Sequence, residues 1–255
     1  IQPGPEAAAL LRRGGTLAFV LLAYAGYVHR VEQRPVSELR LAPVAMLAAA
    51  VAGMLLISIT TGALFALGHY QVTAVRGMEG ALGIAGTIFT VAMFEEVVFR
   101  GVLFRILEDA CGTWWAFALQ SLLFGAIHLL NIDGDGLTML LTLLGTLLVG
   151  AMWTGLYITT RNLWVCGANH AAWNLGIVAT GVPLSGLEDW RAVVPLESTY
   201  HGPVWMTGGV YGPEASVICI ALTTLAVAAL VAWARLLQQA APTPSRPIPI
   251  RRSRP

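Results

Sequence analysis

The chain has 255 residues, of which 56% are hydrophobic and 11% charged, with a mean hydropathy of +0.71 and a formal net charge of +1. Soluble domains carry about a quarter charged residues, so this composition excludes an ordinary water-soluble fold and implies an integral membrane protein. It has no basic patch interleaved with aromatics and no glycine-rich phosphate loop following a strand. Nucleic acid and nucleotide are therefore not expected as partners.

In chain order, apolar segments cover residues 14–28, 41–67, 81–107, 113–130, 137–160, 163–184 and 215–234. A spanning helix needs about 20 apolar residues, a length most of them reach and the first does not. The runs are continuously apolar and rich in Leu and Ala, whereas barrel strands alternate over segments of about 10 residues. The expected fold is all-α, a polytopic transmembrane helical bundle with six to eight spans. Connections are short apart from residues 185–214, so residues 1–240 read as one transmembrane domain. Residues 241–255, rich in Pro and Arg, read as a disordered cytoplasmic tail that anionic lipid could hold.

The fifteen basic residues are all arginine. Arg30, Arg34, Arg40, Arg105, Arg161, Arg235 and the tail fall at alternate ends of successive segments, and the positive-inside rule assigns those ends, with the C-terminus, to the cytoplasm. Arg76 and Arg191 are the minority on the other side. Arg12 and Arg13 agree with this topology if the first segment lies on the membrane surface and disagree if it spans. No cleaved export signal is expected, since nothing before residue 14 has its layout. Cys111, Cys166 and Cys219 are odd in number and lack a Cys-x-x-Cys pair, so they imply neither a disulfide framework nor a zinc ribbon.

Three groups of polar residues interrupt the apolar runs. The first is Glu95-Glu96 with Arg100, where each ionised side chain costs about 2.5–3.5 kcal/mol near the bilayer centre and needs protein or water around it. Helical spacing pairs Glu96 with Arg100 as a packing ion pair and leaves Glu95 without a partner in its own helix, as a candidate general base. The second is Phe124 with His128. A turn centred near Cys111 and Gly112 puts Glu95 and His128 each about sixteen residues away, at one depth on antiparallel neighbours, so their side chains are expected to meet. Phe124, one turn before His128, is either a wall of that site or a core residue. The third is His170 with Asn174, four apart on the second arm of a hairpin that turns at Arg161-Asn162. They could donate hydrogen bonds to one point, as an oxyanion hole does, or tie helices together. They lie only about nine to twelve residues from their turn, so tilt or a different turn position is needed to bring them level.

Glu95, His128 and His170 would also make a two-His, one-carboxylate metal set, although no His-Glu-x-x-His supports it; no cofactor is expected, with a catalytic metal as the alternative. The same groups suit a proton relay in a transporter, against which no pair of interrupted helices occupies corresponding halves of the chain. A non-catalytic immunity or scaffold protein is the further alternative. His29, His69 and His201 lie at segment ends or in the long loop and stay outside the site.

Taken together, Glu95-Glu96-x-x-x-Arg100, Phe124-x-x-x-His128 and His170-x-x-x-Asn174 resemble the three motifs of the CAAX prenyl protease 2 and bacteriocin-processing family, also called CPBP or Abi. The resemblance covers about residues 81–181. It implies a metal-independent glutamic intramembrane endopeptidase in which Glu95 and His128 activate a water, His170 and Asn174 hold the oxyanion, and Glu96 and Arg100 support the site. The implied partners are the lipid bilayer and a membrane-associated protein or peptide substrate. Eukaryotic relatives trim prenylated CAAX proteins, while many prokaryotic ones are linked to bacteriocin maturation, self-immunity or precursor processing. The lysine-free, Ala-, Gly- and Arg-rich composition suggests a prokaryotic cytoplasmic membrane.

Overall fold

A computed structural model describes residues 5–77, 80–187, 191 and 194–240. The proposed tail, residues 241–255, and part of the 185–214 loop lie outside the described residues. Helix α1, Pro5–Tyr27, continues as a π-helical turn to Glu32. It is followed by α2 (Pro43–Ala66), strand β1 (Tyr70–Val75) and α3 (Ala81–Glu96). A π-helical stretch, Val97–Phe104, joins α3 without a break to α4 (Arg105–Cys111). Next come α5 (Thr113–His128), α6 (Gly136–Thr160), α7 (Leu163–Ala179), strand β2 (Leu196–Tyr200), the short α8 (Val204–Thr207) and α9 (Val217–Ala240).

Among the described residues six helical runs are long and apolar enough to cross a membrane. They bear out the transmembrane bundle. Large apolar side chains such as Phe19, Leu22, Val44, Leu47 and Leu225 stand exposed on α1, α2 and α9, as a lipid-facing surface requires. Two details differ from the sequence reading. The first run is helical over 8–32, longer than its apolar stretch, and it lies along α3: Arg13 Nε donates to Thr87 Oγ1 near one end (3.0 Å) and the Tyr24 hydroxyl to the Gly101 carbonyl near the other (3.2 Å). It is long and apolar enough to span, and its course along α3 puts Arg12 and Arg13 at the arginine-poor end. The 163–184 run, by contrast, is helical only to Ala179, 17 residues, and its length is offset by burial. Leu163, Cys166, His170, Trp173 and Ile177 are all inside the bundle.

Local chemistry sets the helix ends. Asp135 caps α6 by accepting from the Thr138 amide, and Asn162 caps α7 by accepting from the Val165 amide. Gly112, at φ +84°, makes the one-residue turn between α4 and α5. The arginines gather at one end as expected: Arg34 binds Glu32 and the buried Glu38, Arg105 binds Glu32, Arg161 binds Glu108, and Arg235 stacks over Trp114. At the other end β1 and β2 form an antiparallel ribbon, irregular between Val72 and Ala74, which the hydropathy pattern does not reveal.

α2 and α7 approach closely because Gly53 faces the Asn169 backbone, where an added Cβ would lie 2.6 Å from the carbonyl oxygen. Gly145 of α6 does the same for the turn before α9, where a Cβ would lie 2.3 Å from the Glu214 carbonyl oxygen. That neighbour is backbone and cannot rotate away. Gly145→Ala is therefore expected to destabilise the protein by about 1–3 kcal/mol, read as a lowered melting temperature in detergent; an unchanged melting temperature would contradict this packing.

Candidate active site

All three polar groups converge on one small cavity of about 80 Å³, lined by Glu95, His128, His170 and Asn174 together with Phe124, Trp153, Tyr211 and Glu214. At roughly 30 Å³ per molecule that is room for two or three waters.

Behind the cavity wall, Glu96 and Arg100 are fully buried, with Arg100 Nη1 3.0 Å from Glu96 Oε1. The expected ion pair is present. Arg100 extends beyond it, donating from Nη2 to the Gly150 carbonyl of α6 at 2.9 Å and lying 4.9 Å from the Phe124 ring centroid. Phe124 is thus both core and wall, packed edge-on to Phe99 and Trp153.

The same oxygen, Glu96 Oε1, lies 2.8 Å from His170 Nδ1. An ionised carboxylate only accepts, so His170 carries a proton on Nδ1. Trp153 stacks on the imidazole at 3.6 Å and is itself fixed by donating from its indole nitrogen to Asn169 Oδ1 at 2.9 Å, while Asn169 donates to the Ala49 carbonyl at 2.7 Å. The ring is held at one edge and across one face.

Glu95 points away from this pair, as its helical position requires, and is partly exposed to the cavity. Its partner needs correction. The imidazole it meets is His170, whose Nε2 lies 3.9 Å from Glu95 Oε2, and no direct hydrogen bond joins Glu95 to His128. The depth count places Glu95 and His128 on one cavity correctly, but side-chain direction takes them to different atoms. His128, the last residue of α5, is turned by its own helix: Nδ1 lies 2.7 Å from the Phe124 carbonyl, which only accepts, so in the neutral ring Nε2 keeps its lone pair. Asn174 stands on the cavity one turn beyond His170, its Oδ1 without a hydrogen-bond partner.

The separation of 3.9 Å is too long for a hydrogen bond and leaves both atoms within hydrogen-bond reach of one water or reacting atom held beside them. Among the described residues no group of three or more His, Cys, Asp or Glu is arranged to hold a metal ion.

The sequence reading misses Glu214 and Tyr211. Both are buried in the turn leading into α9, and both line the cavity. Burial pushes the Glu214 carboxyl up from its ordinary value, opposed by the hydrogen bond from Ser185 and the neighbouring His128. The only sequence signal is a glutamate set directly against the apolar 215–234 run.

Residues 77–176 match a family model described as Rce1-like, type II CAAX prenyl endopeptidase Rce1-like. The matched stretch holds all seven motif residues and bears out the family resemblance there. It supports a protease function of the CAAX type, in a membrane protein that meets lipid and a protein substrate. No curated protein and no solved structure matches the chain.

Arg100→Ala leaves Glu96 buried beside His170 alone, a loss of about 3–5 kcal/mol for a buried pair. The expected outcome is a lower folded yield and melting temperature in detergent. Arg100→Lys is expected to recover little, since one ammonium cannot reproduce the guanidinium fork between Glu96 and the Gly150 carbonyl. Wild-type stability in either variant would remove the proposed support.

Proposed function

We propose, from the Rce1-like match of residues 77–176 and the cavity those residues build, that this protein is a glutamic intramembrane endopeptidase. It hydrolyses a peptide bond of a membrane-associated protein or peptide by direct attack of water. The observation that carries this reading is the convergence of Glu95, His128, His170 and Asn174 on one water-sized cavity, backed by the buried Glu96–Arg100 pair.

In this reading Glu95 takes a proton from the attacking water, with the free Nε2 of His128 as the second base and the carrier of the proton to the leaving amine. His170 acts in its protonated form. Its Nδ1–H is committed to Glu96, so the Nε2–H is the group that donates to the developing oxyanion, and Glu96 supports the imidazolium charge. The Asn174 amide is the second donor. No covalent nucleophile is required: Cys166 is fully buried outside the cavity lining, and the Ser185 hydroxyl donates to Glu214 rather than to a histidine.

The loops that complete the cavity, through Asn131, Ser185, Leu187 and Tyr211, belong to the end opposite the arginine cluster. By the positive-inside rule the scissile bond is then approached from the non-cytoplasmic side, with the C-terminus cytoplasmic.

The test is cleavage of labelled hydrophobic C-terminal and leader peptides by the purified protein in lipid, with and without chelator. Glu95→Gln and His128→Ala are each expected to lower the rate by at least 10²–10⁴-fold, the usual contribution of a general base, while the protein stays folded. Activity is expected to survive chelator. Full activity in Glu95→Gln would overturn the assignment of the base, and loss of activity with chelator would overturn the metal-independent mechanism.

A further inference from the structure

Trp153 belongs to none of the three motifs, yet its buried ring is stacked on a motif histidine, with ring centroids 3.6 Å from those of His170 and planes 20° apart. A residue kept for core packing alone needs only apolar volume, which phenylalanine supplies without a polar group to satisfy. Indole brings an N–H that needs a partner when buried. That partner is Asn169 Oδ1 at 2.9 Å, and the Asn169 amide donates in turn to the Ala49 carbonyl of α2 at 2.7 Å. Asn169 and His170 are consecutive on α7, so their side chains diverge by about 100°. Trp153 therefore grips α7 at two neighbouring positions, by its edge at Asn169 and by its face at His170.

The hydrogen bond from His170 Nδ1 to Glu96 Oε1 fixes one atom of the imidazole and leaves the ring free to pivot about that bond. A stacked plane removes the pivot. Phe124 and Trp173 stand edge-on to the indole, their centroids 5.8 and 6.4 Å from it, and keep it from sliding. The electron-rich indole face also attracts the imidazolium that the proposed mechanism uses. With Nδ1 bound and the ring plane set, Nε2–H has one direction, toward the side on which Glu95 Oε2 lies 3.9 Å away.

We propose that Trp153, held by Asn169, is a positioning residue of the reaction: it acts through His170, setting the plane in which Nε2–H donates to the oxyanion. The inference rests on the protease reading and adds to it two residues from outside the motifs. Such a dependence is expected because a misplacement of about 1 Å at a reacting centre can cost about 10²-fold in rate.

The experiment measures kcat and KM of the full-length protein in lipid nanodiscs with a labelled hydrophobic peptide, beside NMR of histidine-labelled samples, with folding followed by thermal shift. Trp153→Leu, which removes the stack, is expected to lower kcat by about 10–100-fold and to leave KM within about twofold of wild type. Trp153→Phe keeps an aromatic face without the link to Asn169, and its kcat is expected to fall between the two; Asn169→Ala, which releases the same link, is expected to match it. In a His170→Gln background, whose carboxamide can still donate to Glu96, Trp153→Phe is expected to have no further effect on kcat, since its route runs through the imidazole. The stacked indole is expected to shield the His170 ring protons and move them upfield, a shift lost in Trp153→Leu. Wild-type kcat in folded Trp153→Leu overturns the proposal, as does a change confined to KM or an equal loss from Trp153→Phe in the His170→Gln background. If Trp153→Leu does not fold, Trp153→Phe carries the test: reduced kcat at unchanged KM supports the proposal and wild-type kcat overturns it. If the wild type cleaves no peptide, the protease reading fails and the NMR decides the positioning alone. Shielded His170 protons then support it and unshielded ones overturn it.

Discussion

One carboxylate oxygen organises the interior of this protein. Glu96 Oε1 takes a hydrogen bond from Arg100 on its own helix and another from His170 on α7, all three groups being buried inside the bundle. Removing any one strands the others in a low-dielectric interior, where an unpaired charge is costly. Arg100 transmits the constraint onward to α6 through the Gly150 carbonyl, so three helical segments are tied at one point. The π-helical stretch that begins at Val97, immediately after Glu96, belongs to the same device. Such stretches widen the helix locally and recur at functional sites, and this one carries Arg100.

Around this point the site is assembled in layers. Asn169 holds Trp153, Trp153 covers one face of His170, and Glu96 fixes one edge, leaving a single ring nitrogen for chemistry. Glu95 and His128 then approach from neighbouring helices. The remaining wall comes from a different source, the loops around Ser185 and the turn before α9. Ser185 adopts a left-handed backbone, φ +52°, uncommon for a residue with a side chain, while its hydroxyl reaches Glu214. Gly145 lets the Glu214 backbone settle against α6. Packing at this end therefore shapes the cavity as directly as the motif residues do.

Much of this was legible in the amino-acid sequence because membrane insertion makes polar residues informative. Charges that cannot face lipid need one another, so Glu96 and Arg100 pair by helical spacing alone, and the turn at Cys111 and Gly112 brings Glu95 and His128 to one cavity. What spacing does not encode is side-chain direction across helices. Glu95 meets His170 instead of His128, whose Nδ1 is held by the Phe124 carbonyl. The apparent mismatch in depth of His170 also depends on backbone geometry that the counting omits: a π-helical stretch fits more residues into a given length than the α-helix assumed between Glu95 and its turn. Glu214, Tyr211 and the ribbon of β1 with β2 lie outside any motif or strong hydropathy pattern, and their places follow only from how the long loop folds back over the bundle.

The shared carboxylate can be observed directly by ¹⁵N NMR of histidine-labelled protein in nanodiscs, with His170 assigned by its substitution. The account predicts that His170 carries a proton on Nδ1, strongly hydrogen-bonded and protected from exchange, and that this signal shifts when Glu96 is replaced by glutamine. A His170 whose Nδ1 bears no proton, or whose signal is indifferent to Glu96→Gln, would contradict it.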